Sequence, residues 1–291
     1  MRTVTIRTVV TAVIAAVVTS VLLYLFLPTR PAQLAPSVYE RVRETGSIRA
    51  AYFVGAPLFM VDPNTGEKSG IFHDVVETAA DKLGLEVDWV EEVGYGEMIQ
   101  GLEYHRYDIM GSGVWLNADR GKSADFTIPA YYDAVRAYAR ANDIRFDGDI
   151  SIANSESYTI STMDGELGAA IAVTDFPHAK RVELPQNSDF AQLILNVVNE
   201  KADLVFLAIA PAHEYMKAHP GNIRPVAVPP LRVFPVAILL PKGEYDLKQS
   251  IDYALTEMLT RGDIESILRR YEDERGLFIR TALPYLDPGN D

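Results

Sequence analysis

The sequence predicts an α/β protein of two modules. Three observations point that way. Strand-like and helix-like runs alternate at short spacing between residues 47 and 114, the rhythm of parallel β-α-β units. The rhythm restarts near residue 158 and continues to about 209. The chain then returns through a Pro-rich passage at 228–235 to a last strand and two amphipathic helices, so two crossings join the modules. With 291 residues, 48% apolar and 23% charged, it is long enough for two ordinary domains.

The first 30 residues stand apart. Arg2 and Arg7 precede a run, 8–28, that contains no charge. About 20 apolar residues at about 1.5 Å each span the roughly 30 Å hydrocarbon core of a bilayer. The hydroxyls of Thr8, Thr11, Thr19 and Ser20 can bond back to helix carbonyls there. Tyr24 suits an interface, and Pro28 ends the helix. A secretory signal has a shorter apolar core and a small-x-small cleavage site, and no Ala-x-Ala follows Leu25-Phe26-Leu27-Pro28. Residues 1–30 therefore read as a membrane anchor or a signal segment. In either reading the arginine end stays in the cytoplasm and the remainder is exported. The expected location is the periplasm or the extracellular face, with 8–28 anchored in the inner membrane. Residues 31–36, with Pro31 and Pro36, read as an extended tether.

Each later element has its own local cause. Ser37 can cap a short helix over 37–44 that Gly46 ends, and 47–53 is strand-like. Asp62-Pro-Asn-Thr-Gly66 is a turn that closes a hairpin. Asp74 followed by Glu77 forms a capping-box pattern. Val75, Val76, Ala79, Ala80 and Leu83 recur at helical spacing, and Gly84 stops the helix. A strand over 85–90 follows. A helix over 95–104 comes next, with Met98, Ile99 and Leu102 on one face, and then a strand over 108–114. In the second module, 158–163 is a strand and 167–173 a helix. A helix over 188–201 is capped by Ser188, 202–209 is a buried strand, and 211–218 is a helix. The last elements are a strand over 236–240 and helices over 246–260 and 263–271.

Composition excludes several function classes. The only basic residues in 1–30 are Arg2, Arg7 and Arg30, with no acid. That leaves 24 of the 27 Lys and Arg residues against all 40 acids in the exported part. A body this acidic repels phosphate backbones, so nucleic acid is not an expected partner. With no cysteine there is no disulfide, thiol nucleophile or thiolate metal site. His213 and His219 are six residues apart and do not share a helix face as zinc-protease histidines do. Asp147-Gly-Asp149 is too short for a calcium loop. No Gly-x-Ser-x-Gly elbow or phosphate loop is present. The charge-rich stretch 269–275 reads as a solvated helix face. No metal and no cofactor are expected.

Four segments, in order, carry a family resemblance. They are Gly70-Ile-Phe-His-Asp74-Val, Tyr107-Asp108-Ile-Met-Gly-Ser-Gly113, Asn117-Ala-Asp-Arg120-Gly-Lys and Asp125-Phe-Thr-Ile-Pro-Ala-Tyr131-Tyr132. Ala202-Asp203-Leu-Val and Pro241-Lys-Gly-Glu extend the match, which covers about 37–271. The order and spacing resemble the bacterial extracellular solute-binding proteins of family 3, which serve ABC importers of polar amino acids and related small molecules. The resemblance implies a two-lobed periplasmic binding protein fold of type II, with two α/β lobes joined by a two-strand hinge. It implies lobe 1 at 37–140 and 232–291, lobe 2 at 141–231, and hinges near 138–141 and 228–233.

The resemblance also assigns ligand-binding residues. Arg120 matches an arginine that grips a carboxylate, a task suited to a bidentate guanidinium fork; the other reading is a surface arginine paired with Asp119 or Asp125. Ser112 and Gly113 match contacts to the same ligand group. Trp115 stands where the family usually has a small hydroxyl residue, and reads as a ring wall or as core. Tyr95 matches an aromatic platform, and Tyr52 or Phe53 a second ring. Phe72 stands where the family often has an acid beside the cleft. The usual ammonium-binding aspartate is replaced by Ala208. Glu166 occupies the turn that usually helps hold the carboxylate, where it can accept from an amine or simply complement a helix N-terminus.

The expectation is an extracytoplasmic solute-binding protein. It would capture a small anionic or amino-acid-like ligand, carboxylate-bearing, for an ABC permease, without covalent chemistry. Two alternatives stand beside it. One is a sensory or regulatory module on the same fold. The other is a dehydratase-like enzyme with Glu166 or His73 as general acid.

Overall fold

The computed structural model describes residues 2–26, 37–186 and 188–281. It divides into an N-terminal helix and a compact body beginning at Val38. The helix, α1, spans Arg2–Phe26. Its described side chains, 8–22, are all exposed. Among the described residues no helix is long and apolar enough to cross a membrane. The tether expected at 31–36 lies outside the described residues.

The body opens with α2 (Val38–Thr45) and β1 (Ser47–Tyr52). The hairpin is present as β2 (Met60–Val61) and β3 (Lys68–Ser69), with Asp62 Oδ1 accepting from the amides of Asn64 and Thr65 in its turn. Helix α3 (Ile71–Leu83) buries Ile71, Phe72, Val75, Val76, Ala79 and Ala80, and ends on left-handed Gly84. The capping box expected at Asp74 is not formed, because the helix starts three residues earlier at Ile71, with Gly70 as its N-cap. There the chain grazes the hairpin arm: a Cβ on Gly70 would lie 2.7 Å from Leu58 O, and its φ is 120°. The Ile71 and Phe72 amides donate to Pro57 O and Leu58 O instead of to a cap. Asp74, now inside the helix, accepts from the Tyr271 hydroxyl at 2.9 Å and pairs with Arg270.

Strand β4 (Glu86–Glu92), helix α4 (Met98–Glu103) and strand β5 (Ile109–Trp115) follow. A one-turn helix α5 (Arg120–Ser123), strand β6 (Ala124–Phe126) and the ten-residue strand β7 (Tyr131–Arg140) complete the first run. The second run is β8 (Thr159–Met163), α6 (Leu167–Asp175), β9 (Lys180–Leu184), α7 (Phe190–Val198), β10 (Leu204–Ala208), α8 (Ile209–Ala218) and β11 (Ile223–Pro225). The cap of α7 is Asp189, which accepts from Ala191 N, and not Ser188 as expected. The chain returns on β12 (Arg232–Pro241) and ends with α9 (Tyr245–Arg261), α10 (Asp263–Arg270) and β13 (Ile279–Arg280). Strand β12 begins inside the Pro-rich passage, four residues before the expected 236.

One mixed sheet has the order β4-β1-β5-β12-β7-β10-β8-β9. Its flanks are parallel, as the β-α-β rhythm requires: β1 pairs with β4 and β5, and β8 with β9 and β10. Its centre is the antiparallel pair β7–β12, the two crossings. Apolar cores form on either side of that centre. One gathers α3, α9 and α10 against β1, β5 and β12 through Phe72, Ile109, Ile238 and Met258. The other packs Phe146, Ile160, Ile171, Phe176 and Phe206 around α6 and β10. A fully buried aromatic or Leu side chain contributes about 1.5–3 kcal/mol, so each lobe has an interior of its own.

Candidate ligand-binding site

The site forms where β5 ends and α6 begins. β5 leaves the sheet at Trp115, and Asn117 Oδ1 accepts the Arg120 amide at 2.8 Å, starting α5. The guanidinium folds back over the indole, with Cζ 3.8 Å from the Trp115 ring centroid. Nη1 donates to Trp115 O and Nη2 to Gly165 O, each at 3.1 Å. Arg120 is 9% exposed, so it is not a surface arginine. Among the described residues no carboxylate lies within ion-pair distance of it. Burial lowers its pKa from 12.5 to about 10, a shift that nearby Glu166 opposes.

Glu166 is buried at the start of α6, where its Oε2 accepts from Gly168 N at 2.5 Å. The helix-capping reading of this residue is therefore realised. Its second oxygen leaves the amine-acceptor reading open. Desolvation raises its carboxyl to about 7 despite that bond and despite Arg120. Tyr95 is half-buried, with its hydroxyl at the buried end. Desolvation and Glu166 push the phenol well above 10, so it is neutral. Its ring leans on Phe53, centroids 4.5 Å apart.

Phe53, Tyr95, Gly113, Trp115 and Glu166 line a chamber of about 50 Å³. Ala208, the position lacking the usual aspartate, lines it as well, as do Phe190 and Phe234. The chamber shares Ala56, Tyr95, Phe190 and Pro211 with an outer cleft of about 760 Å³. Glu92, Glu97, Asp189 and Glu214 line that cleft, and among the described residues no lysine or arginine does. Gly96 N donates to Gln186 Oε1 at 2.6 Å across its rim.

Three expected site residues are not on the chamber wall. Arg120 lies beside it, stacked on Trp115. Ser112 Oγ is engaged with Phe53, accepting from its amide at 2.9 Å and donating to its carbonyl at 3.2 Å. Phe72 is fully buried beneath Gly113. A Cβ on Gly113, whose φ is 74°, would fall 2.1 Å from the Phe72 ring. The ring that replaces the family's acid thus supports the chamber from below. His73 lies elsewhere, stacked on Trp89 at 5.6 Å. On the surface, His213, Glu214 and Asp273 bring ligating atoms within 4.8 Å of one another. Lys217 already bonds that aspartate.

Phe190, Phe234 and Asp133 are chamber residues that were missed, and Asp133 is the charged one. Asp133, on β7, lines the cavity and is 4% exposed. Its described hydrogen bond comes from the adjacent Ala134 amide, 2.8 Å from Oδ1. Desolvation raises its carboxyl to about 7. The available signal was a lone acid among apolar positions in 130–139, a stretch the reading assigned to no element.

Residues 48–274 match the sequence pattern of the bacterial extracellular solute-binding proteins, family 3. A probable amino-acid ABC transporter periplasmic-binding protein of Sinorhizobium fredii is 26% identical over 191 residues, which are 64% of this chain and 62% of that protein. The chain thus spans less than two thirds of that relative's length. Cyclohexadienyl dehydratase of Pseudomonas aeruginosa is 23% identical over 212 residues, 73% of this chain and 78% of that protein. The ancestral amino acid-binding protein that is a precursor of cyclohexadienyl dehydratase has the same fold. It superposes with a TM-score of 0.71 at 20% identity, over 81% of this chain and 99% of its own.

Proposed function

The chain belongs to the bacterial extracellular solute-binding proteins, family 3, and on that premise we propose that it captures a small carboxylate-bearing solute outside the cytoplasm and presents it to the permease of an ABC importer. The observation that carries the reading is Arg120. A buried guanidinium without an ion-pair partner among the described residues is complementary to a carboxylate, and two of its donors already reach across from Trp115 to Gly165. Binding is reversible and forms no covalent bond. A chamber of about 50 Å³ holds about one or two waters, so an amino-acid-sized solute enters only when the lobes part. The lobes, 37–140 with 232–291 and 141–231, move about the two long crossing strands β7 and β12. Solute contacts made in both lobes then favour the closed state.

Helix α1 anchors the body to the inner membrane in this reading. Its 25 residues reach about 37 Å at about 1.5 Å per residue. Native mass spectrometry of protein purified from its own host tests both parts. A retained stoichiometric carboxylate and an intact N-terminus support them. A retained solute without a carboxylate rejects the first part, and a chain beginning near residue 30 rejects the second.

Glu166 favours a second reading. A buried carboxyl raised to about 7 beside a substrate chamber has the protonation behaviour of a general acid. One relative is a dehydratase. Loss of water from the bound solute, followed by NMR, would replace the binding reading with this one; recovery of the solute unchanged removes it.

A further inference from the structure

We infer that Phe190 sets the length of solute the protein accepts, by shutting the inner chamber off from the acidic outer cleft. This deepens the proposed function and rests on its reading of Arg120 and of two closing lobes. Ala56, Tyr95, Phe190 and Pro211 line both spaces and so form the partition between them. Ala56 and Tyr95 belong to the first lobe, Phe190 and Pro211 to the second. The partition is therefore a seam between the lobes. Among the described residues Phe190 is the one aromatic side chain that the second lobe brings to it.

Local structure places that ring. Asp189 caps α7, its Oδ1 accepting from Ala191 N at 2.8 Å, and so fixes the first turn on which Phe190 sits. The half-buried ring packs against the apolar cluster that holds Leu193 and Leu207. Gly55 stands across the seam. Its amide donates to Phe59 O at 2.9 Å, and its carbonyl accepts from the amides of Leu58 and Phe59. A Cβ on Gly55 would lie 3.3 Å from the Phe190 ring and 3.7 Å from the Phe53 ring. The missing side chain at Gly55 is what lets rings from the two lobes converge.

A limit on chain length follows. The chamber runs from Trp115, on which Arg120 stacks, to this seam. A short solute anchored at Arg120 ends before the Phe190 ring, and the lobes shut over it. A longer chain must pass between Phe190 and Gly55, where even one added methyl carbon would press on the ring. It holds the lobes ajar and loses the contacts that favour closure. Beyond the ring lies the cleft of about 760 Å³, lined by Glu92, Glu97, Asp189 and Glu214. With the ring removed, a long chain can enter that space, where the acids favour a cationic end over an anionic one.

Isothermal titration with two series of graded chain length tests this: unbranched carboxylates and unbranched L-2-amino carboxylates. The longer members are also supplied with a terminal ammonium and with a terminal carboxylate. Wild type, Phe190→Ala and Arg120→Ala are compared, each checked for folding by circular dichroism. Phe190→Leu serves if the alanine variant does not fold. Wild-type affinity should fall by about tenfold for each methylene beyond a limiting length. In Phe190→Ala that limit should move out by two or more methylenes, and over-length chains ending in an ammonium should gain more than those ending in a carboxylate. The same limit in both proteins overturns the inference, as does the absence of any limit in wild type. An equal gain for both chain ends also overturns it, since a merely loosened chamber would give that result. Arg120→Ala separates the two claims. If it abolishes binding while Phe190→Ala leaves the length profile unchanged, the Arg120 reading stands and the gate falls. If it leaves binding intact while Phe190→Ala shifts the profile, the gate stands and the Arg120 reading falls. Silence of both series in wild type overturns both.

Discussion

Arg120 donates from Nη2 to the carbonyl of Gly165, 3.1 Å away, across the boundary between the end of β5 and the start of α6. This bond ties the end of β5 to the start of α6 beside the chamber. It also explains why Arg120 remains buried without a carboxylate partner: two backbone carbonyls and the face of Trp115 hold the guanidinium in place. Both carbonyls are neutral acceptors, so the positive charge stays available to a solute.

The floor of the chamber should be intolerant of added volume. Gly113 has a φ of 74° and stands against the Phe72 ring, where a Cβ would lie 2.1 Å from a ring carbon. Gly113→Ala must strain the backbone and displace a fully buried phenylalanine. Urea denaturation should report a loss of about 2–4 kcal/mol, in the range of overpacking combined with left-handed strain. Stability equal to wild type would mean that the ring yields freely.

Asp108 tests the frame beneath the site. Its carboxylate is fully buried and accepts from the Arg49 amide at 2.7 Å while pairing with the side chains of Arg41 and Arg49. Asp108→Asn leaves two guanidinium groups without their counter-charge. Removing one partner of a buried pair typically costs about 3 kcal/mol or more. Both arginines are about one third exposed, so the lower end of that range is expected from thermal or urea unfolding. A loss under about 1 kcal/mol would show that water already screens the pair.

The buried acids of the chamber set a pH dependence with a definite sign. Asp133 and Glu166 are both raised to about 7, well above their ordinary values. A carboxyl raised on folding stabilises the folded state fully below its unfolded pKa, near 4, and this contribution is lost as pH rises through about 7. The groups coupled to the pair are Arg120 and Tyr95 around Glu166, and Tyr131 and Tyr138 beside Asp133. Elsewhere Asp125, Asp143 and Glu272 are lowered and slope the other way at acid pH. The informative quantity is therefore a difference between proteins. The thermal midpoint of unliganded Asp133→Asn should gain on wild type between pH 5 and pH 8. Parallel pH profiles would contradict the assignment.

Periodicity and turn chemistry made the flanking elements legible. Val75, Val76, Ala79 and Ala80 predicted the buried face of α3, and Gly84 its end. The central strands were harder to read. β7 is buried on both faces and does not alternate in hydrophobicity, and β12 carries Pro235 within its length. Neither pattern resembles a half-buried strand. Within the site, Phe53, Tyr95, Gly113, Trp115 and Glu166 could be named because the family resemblance assigns their positions. Asp133 could not, since its importance lies in the lack of a cation nearby, which only tertiary packing reveals. The capping box at Asp74 misled for a related reason. Local chemistry favoured it, but the contact of Gly70 with Leu58 starts the helix earlier.

The central claim is that a carboxylate solute is held by Arg120 beside the chamber. Titration calorimetry of wild type and Arg120→Ala with the same carboxylate-bearing solute tests it most directly. Charge-assisted, partly bidentate hydrogen bonds of about 1.5–3 kcal/mol predict a fall in affinity of roughly 10- to 150-fold in the variant. A tightly bound carboxylate whose affinity is the same in both proteins would contradict the account.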